Sequence, residues 1–121
     1  MANYTLQTKP FVVPTPDDKR IEEHFGQATN GDDHISIAHM VAPPGWSEPP
    51  QKPSFAEYVF VIRGKKHFLI ADEEVVLSAG QSIKIHPNVR VQYSNPFPEE
   101  CEYIAICTPA FTFAEANRAA D

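Results

Sequence analysis

The stretch PPGWSEPPQKPSFAEYVFVIRG, residues 43–64, joins a proline-rich loop to a strongly apolar segment. The aromatic and β-branched residues of positions 55–62 are typical of a β-strand. Glu57 stands near the start of this strand, and Gly64 follows its end. The segment therefore predicts a strand that carries one carboxylate among apolar side chains and is entered from a stiff loop.

The remainder of the chain continues the β pattern. Short apolar runs separated by turn residues predict further strands at 34–41, 66–71, 75–77, 81–86, 89–94 and 101–107. A chain of 121 residues is long enough for one domain with a core, and we expect a single domain over 1–121. Many short strands with little helix indicate a small closed barrel or jelly roll.

Two short helices are predicted outside these strands. The first is expected to begin after the cap residue Thr15, with Pro16 at its first position, and to run to His24 or Phe25. The second follows a capping box in which Thr112 precedes Glu115 by three positions.

Composition and charge limit the classes of partner. The net charge is −6 and the lysines and arginines do not cluster beyond Lys65-Lys66, which disfavours nucleic acid and anionic membrane surfaces. There is no apolar run of membrane-spanning length, and the N-terminus lacks the features of a secretory signal. Cys101 and Cys107 lie in one predicted strand, about 20 Å apart, too far for a disulfide. Reduced thiols are typical of a cytoplasmic protein.

The spacing of a few residues resembles the cupin superfamily. The first cupin motif, G-x5-H-x-H-x3-E-x6-G, finds its glycines and glutamate at Gly45, Glu57 and Gly64. The second, G-x5-P-x-G-x2-H-x3-N, finds its ends at Gly80 and Asn95. This resemblance covers about residues 35–108. It implies an all-β fold, a double-stranded β-helix or jelly-roll barrel, with short helices at its ends.

The departures from these motifs concern the metal ligands. Gln51, Pro53 and Val91 stand where the family's metal-binding histidines belong, and of the four ligands only Glu57 is present. First-row metals in such barrels require imidazoles as well as a carboxylate. We therefore expect no metal cofactor. A metal site with rearranged ligands, built from His39 and His86, stays an alternative.

The resemblance also implies which side chains face the barrel interior. It turns Glu57 and Val59 inward from one strand, and Val91 and Tyr93 inward from another. Burial beside valines would raise the pKa of Glu57 and make it a candidate general base. Tyr93 could position a carbonyl or enolate oxygen. A glutamate held by Gln51, Tyr93 or a buried water, without chemistry, is the alternative.

His39 shares an alternating face with Ile35, Ile37 and Val41. If that face is the inner one, His39 is the imidazole nearest to Glu57 and could share acid and base roles with it. A lone histidine on an apolar face is otherwise a satisfied interior side chain. The ligand-binding wall is predicted to include Gln51, Val59 and Val91.

Two functions follow for a cavity that binds a small polar molecule. One is a metal-independent lyase or isomerase in which Glu57 is the base and Tyr93 or His39 assists. The other is a non-catalytic module that binds or senses a small molecule. On the outer face of the strand, Tyr58, Phe60 and Ile62 form an apolar surface that predicts a homodimer, as is common among small cupins.

Overall fold

The structure of the protein is a computed structural model that describes residues 3–117. Within these residues the chain forms nine strands and two helices of one turn each. The strands are β1 (Phe11–Val12), β2 (Arg20–Phe25), β3 (Ser36–Ala42), β4 (Ala56–Arg63), β5 (Lys65–Ile70), β6 (Glu73–Ser78), β7 (Ser82–Ile85), β8 (Val91–Ser94) and β9 (Cys101–Thr108). The helices are α1 (Gln27–Asn30) and α2 (Phe113–Ala116).

The strands form two antiparallel sheets that share one core. In the described part of the chain, one sheet has six strands in the order β1-β2-β3-β9-β4-β7, and the other has three in the order β6-β5-β8. Side chains from both sheets, such as Val61 on β4 and Phe68 on β5, are fully buried in this core. The expected all-β double-stranded β-helix with short helices is confirmed.

Strand β4 has the orientation that the resemblance implies. Val59 and Val61 are buried, whereas Tyr58, Phe60 and Ile62 are exposed on the opposite face. Because successive side chains of a strand point to opposite faces, Glu57 shares the inner face with the two valines.

The helix predicted to end at His24 or Phe25 is wrong. Residues 20–25 form strand β2, which pairs with β3 through Arg20↔Val41 and Glu22↔His39. The edge of β3 that faces β2 supplies backbone hydrogen-bond partners along residues 20–25. A short isolated helix, by contrast, is only marginally stable in water. Thr15 does not cap a helix, because its hydroxyl donates to the carbonyls of Asp17 and Lys19 in a turn.

The predicted N-cap Thr112 is confirmed, but within residues 3–117 the Glu115 side chain accepts from the Ser54 hydroxyl instead of the Thr112 amide, so only one half of the capping box forms. The Thr112 hydroxyl accepts a hydrogen bond from the Glu115 amide at 3.1 Å and begins α2. The Glu115 carbonyl then accepts from the Ser54 amide at 2.9 Å, which ties this helix to the loop before β4. Cys101 and Cys107 are both buried and free of a disulfide. No helix within residues 3–117 is long and apolar enough to span a membrane.

Candidate functional site

A cavity of about 660 Å³ lies inside the barrel. Both sheets and both terminal segments contribute to its wall. Most of the wall is apolar, and Phe11, Phe111 and Phe113 come from the terminal segments. The polar part includes Gln51, Glu57, Lys66, Tyr93 and Tyr103. A mostly apolar cavity with a few convergent polar groups is the usual form of a small-molecule site.

Glu57 and Tyr93 form a direct pair across this cavity. The Tyr93 hydroxyl donates to Oε1 of Glu57 at 2.5 Å, and Gln51 Nε2 lies 3.4 Å from the same hydroxyl. The Cys107 thiol lies 3.9 Å from Oε2 of Glu57. The structure therefore brings three sequence-predicted site residues together: Glu57, Tyr93 and Gln51.

Burial governs the protonation of this pair. Burial raises the pKa of Glu57, while the Tyr93 hydrogen bond and the positive charge of Lys66 act in the opposite direction. Burial also raises the pKa of Tyr93 well above its usual value, and the nearby Glu57 charge adds to this effect. The phenol therefore stays protonated and serves as a donor to the carboxylate.

Lys66 is a buried site residue that the sequence reasoning missed. Only 3% of it is exposed, and its Nζ lies 3.9 Å from the ring centroid of Tyr103 and 4.9 Å from that of Tyr93. The rings of Trp46 and Phe68 each lie 5.4 Å away. Burial, assisted by the charge of Lys19, lowers the pKa of Lys66 to about 7.

The sequence did carry a signal for Lys66. Lys66 and Phe68 are two positions apart in β5, so they share one face of the strand. Because Phe68 is fully buried, Lys66 must also point inward. The spacing links Lys66 to Phe68, and the burial of Phe68, which only the structure shows, then places Lys66 inside.

Lys19 is a second lysine of the cavity wall and is also buried. Its Nζ lies 4.0 Å from the Trp46 ring and 5.6 Å from the Tyr103 ring. Lys19 stands just before β2, in the segment for which the sequence predicts a helix. No local pattern places it in the barrel, because only the pairing of β2 with β3 carries this turn over the cavity.

Tyr103 presents an unpartnered hydroxyl. Its residue is 2% exposed and lines the cavity, and among the described residues nothing forms a hydrogen bond with its hydroxyl. Burial raises the pKa of Tyr103 well above its usual value, so the group is a neutral phenol. Buried polar groups normally have a partner.

Val59 and Val91 face inward as expected but belong to the packed core rather than to the cavity wall. Their exposed fractions are 1% and 0%. The structure supports them as residues that hold the barrel walls, and it does not place them on the surface open to a ligand.

The expectation that His39 lies beside Glu57 is wrong. Ser36, Ala38 and Met40 of β3 line the cavity, so His39 points to the opposite face. Its Nε2 lies 2.6 Å from Oε2 of Glu102, and its Nδ1 lies 3.6 Å from Oε1 of Glu22. His39 therefore bridges neighbouring strands on the outside of the sheet. His86, just after β7, is exposed.

The residues around Glu57 do not fit the metal that the fold family commonly holds. Gln51 directs its amide at Tyr93, and Pro53 and Val91 are buried without a donor atom. Lys66 and Lys19 bring positive charge toward Glu57, which opposes a bound cation. Over residues 3–117, there is no group of three or more His, Cys, Asp or Glu side chains that could hold a metal ion.

Comparisons with known proteins identify the relatives of this chain. The family described as Cupin domain matches residues 38–107. A curated protein named Endoribonuclease YbeY, from Myxococcus xanthus (strain DK1622), is 42% identical over 103 residues, which cover 85% of this chain and 35% of that protein. This chain thus spans about a third of the length of that relative.

Solved structures show the same fold at low identity. An RmlC-like cupin from Shewanella frigidimarina has a TM-score of 0.72 at 14% identity, covering 91% of this chain and 93% of that chain. The polyketide cyclase RemF from Streptomyces resistomycificus has a TM-score of 0.69 at 12% identity, covering 96% and 90%.

Proposed function

The chain belongs to the cupin family, and we propose that its cavity binds a small polar molecule carrying a carbonyl group. In this proposal Glu57 removes a proton from the carbon next to that carbonyl, and no metal ion takes part. The observation that carries it is the hydrogen bond of 2.5 Å between Tyr93 and Glu57 inside the cavity.

The geometry suits proton transfer at one carboxylate oxygen. Tyr93 holds Oε1 of Glu57, and among the described residues the other oxygen, Oε2, has only the distant Cys107 thiol as a hydrogen-bond neighbour. In the step, Oε2 takes the proton and the electron pair of the C–H bond moves into an enolate. Return of the proton to a different carbon gives an isomerase, and loss of a neighbouring leaving group gives a lyase. A carboxylate with a raised pKa is a stronger base for this step.

The residues at the positions of the family's metal ligands support a mechanism without a metal. Gln51, Pro53 and Val91 replace the imidazoles, and Lys66 supplies the positive charge that a metal would otherwise bring near Glu57. A positive group close to the reacting carbonyl stabilises a developing enolate.

A non-catalytic binding module is the second candidate. It is favoured by the observation that both carboxylate oxygens of Glu57 already have neighbours, Tyr93 and Cys107, without a ligand. Glu57 would then be a fixed acceptor for a donor group of the ligand.

Hydrogen–deuterium exchange separates these two functions. Small carbonyl compounds, such as pyruvate, acetoacetate and dihydroxyacetone, would be incubated with the protein in D₂O and followed by proton NMR. The enzyme hypothesis expects faster exchange of α protons, lost in Glu57→Gln and retained in Glu73→Gln, a control on the exposed strand β6. Equal exchange in Glu57→Gln and wild type contradicts the role of Glu57. Saturable binding without exchange supports the binding module.

We also propose a homodimer formed by the outer face of β4. Phe60 is 47% exposed, and Tyr58, Ile62, Ile104 and Ile106 extend the same apolar face. An apolar sheet face of this kind is usually covered by another surface. Light scattering of Phe60→Glu is expected to give a monomer where the wild type gives a dimer, and an unchanged mass would contradict this interface.

A small-molecule ligand in a cytoplasmic setting is the proposed context. The net charge of −6 is unfavourable for a nucleic-acid partner, so the activity named for the Myxococcus xanthus relative is not extended to this chain. Two buried free thiols are compatible with a reducing compartment.

A further inference from the structure

Apart from the Glu57–Tyr93 pair, the cavity wall contains two further hydrogen-bond donors that neither remove nor return the transferred proton. One is the ammonium group of Lys66 and the other is the hydroxyl of Tyr103. The two are adjacent, because Lys66 Nζ lies 3.9 Å from the centroid of the Tyr103 ring. Both residues line the cavity, and they reach it from different sheets, on β5 and β9.

Each of these groups is in an unfavourable state without a ligand. Lys66 is 3% exposed and forms no ion pair within the described residues, so its charge is balanced only by aromatic faces and by more distant carboxylates. The Tyr103 hydroxyl is buried with no hydrogen-bond partner in the same part of the chain. A buried charge or hydroxyl of this kind is retained at a penalty unless something binds it.

We propose that Lys66 and Tyr103 together form a subsite for an anionic oxygen, and that the ligands of this cavity are small carboxylates. One carboxylate oxygen would accept from both donors, which satisfies the phenol and neutralises the ammonium. Hydrogen bonds of this kind to a charged acceptor are the strong ones. This inference rests on the proposed function to the extent that the same cavity holds the ligand.

The surrounding charges determine which ligands are favoured. Lys19, from the turn before β2, adds positive potential, while Glu57 on β4 and Glu48 in the preceding loop oppose it. Cys101 and Tyr93, the other titratable groups near Lys66, are neutral because burial raises the pKa of each. A favoured ligand therefore has its carboxylate at the positive Lys66 and an uncharged carbonyl segment toward the negative Glu57. α-Keto acids have this arrangement.

The protonation of the Lys66 amine predicts how carboxylate binding depends on pH. With a pKa of about 7, Lys66 loses its charge in mildly basic solution, and a bound carboxylate would raise that pKa again. Carboxylate binding is therefore expected to take up a proton and to weaken as the pH increases above about 7.

The test compares carboxylates with their neutral amides. Acetate, pyruvate and benzoate would each be titrated against acetamide, pyruvamide and benzamide. The fluorescence of Trp46, the single tryptophan, reports on the site, because its ring lies 5.4 Å from Lys66 Nζ. At about pH 6, at least one carboxylate is expected to bind about tenfold more tightly than its amide. That preference is expected to shrink at about pH 8.5.

Two variants and two controls complete the experiment. Lys66→Met is expected to weaken carboxylate binding about tenfold, and Tyr103→Phe about threefold, with little effect on amides. Lys65→Met and Tyr58→Phe make the same chemical changes on exposed faces and are expected to bind as the wild type does. Circular dichroism of each variant checks that it is folded.

Several outcomes would overturn the carboxylate subsite. They are equal affinity for acid and amide, unchanged carboxylate binding in folded Lys66→Met, and no saturable binding of any of the three carboxylates. The two proposals fail separately. If Lys66→Met binds carboxylates as the wild type does while Glu57→Gln loses α-proton exchange, Glu57 stands as the base and the carboxylate subsite is rejected. If carboxylates bind through Lys66 without any exchange, the subsite stands and the base assignment is rejected.

Discussion

Tyr93 donates a hydrogen bond of 2.5 Å to Glu57, and the two residues belong to different sheets. Glu57 is on β4 of the six-stranded sheet and Tyr93 is on β8 of the three-stranded sheet. The bond therefore spans the barrel interior. It stabilises the ionised carboxylate against burial, which raises the pKa of Glu57.

Replacing Tyr93 by phenylalanine is expected to raise the pKa of Glu57 further. The Tyr93 hydrogen bond lowers that pKa, so its loss leaves burial with less opposition. Loss of a buried hydrogen bond to a carboxylate is also expected to reduce the free energy of unfolding by about 1–3 kcal/mol. Carbon-13 NMR titration of Glu57 and urea denaturation measure the two effects. Tyr58→Phe, on the outer face, serves as the control, and an unchanged Glu57 titration in Tyr93→Phe contradicts the coupling.

Lys66 is expected to make the protein more stable as the pH increases from about 7 to about 9. Its folded pKa of about 7 lies below the ordinary lysine pKa of 10.5, so in this range the unfolded chain binds more protons than the folded one. Stability rises with pH where the unfolded state holds more protons. Above pH 9 the buried thiols oppose the trend, because burial raises the pKa of Cys101 and Cys107.

The Lys66→Met variant isolates this contribution. Because it lacks the buried amine, the variant is expected to have a free energy of unfolding roughly 1 kcal/mol or more above that of the wild type at about pH 6. This difference is expected to disappear as the pH increases. Thermal melts of wild type, Lys66→Met and Lys65→Met at several pH values measure it. A constant difference between wild type and Lys66→Met across the range would show that Lys66 does not titrate there.

Gly64→Ala and Gly45→Ala are expected to differ in severity. Both glycines have positive φ, +81° and +77°, so an alanine is strained at either position. A Cβ at Gly64 would also meet the Glu100 carbonyl oxygen, whereas one at Gly45 has nothing within 4 Å. Gly45→Ala is expected to lower the free energy of unfolding by about 1 kcal/mol and Gly64→Ala by considerably more. Equal losses in chemical denaturation would mean that the close approach is relieved by a small backbone shift.

Asn95 is expected to be a major contributor to stability. It is 1% exposed, and its Nδ2 donates to the carbonyls of Ala42, Pro43 and Glu99 at 3.2, 3.2 and 2.8 Å. Asn95→Ala is expected to lower the free energy of unfolding by more than about 2 kcal/mol, because buried acceptors lose their donor. Asn95→Asp has the same shape without the donor and is expected to lose at least as much. A fully stable Asn95→Asp would show that the shape of Asn95 matters and its donors do not.

The cupin motifs explain why the barrel could be predicted. Gly45, Gly64 and Gly80 have φ values of +77°, +81° and +86°, conformations that glycine adopts with little strain. Asn95 joins the loop after β8 to the end of β3. The glycine requirements belong to single turns, and the Asn95 contact, which joins segments distant in sequence, was located only through the spacing of the family motif. The helix expected before Gly26 failed for the opposite reason, since pairing with β3 depends on a partner strand that is distant in sequence.

The sequence by itself determined the β pattern and the absence of the family's histidines from positions 51, 53 and 91, and its resemblance to the cupin motifs implied the barrel and the inward carboxylate of Glu57. Period-two alternation is encoded within one strand, and the positive φ of each motif glycine is a property of its own turn. Tertiary structure decided which face of β3 lines the cavity, and so placed His39 outside. It also brought Lys66 from one sheet against Tyr103 of the other. The electrostatics of a site depend on burial and on distances between strands, and these exist only once the two sheets have closed around the cavity.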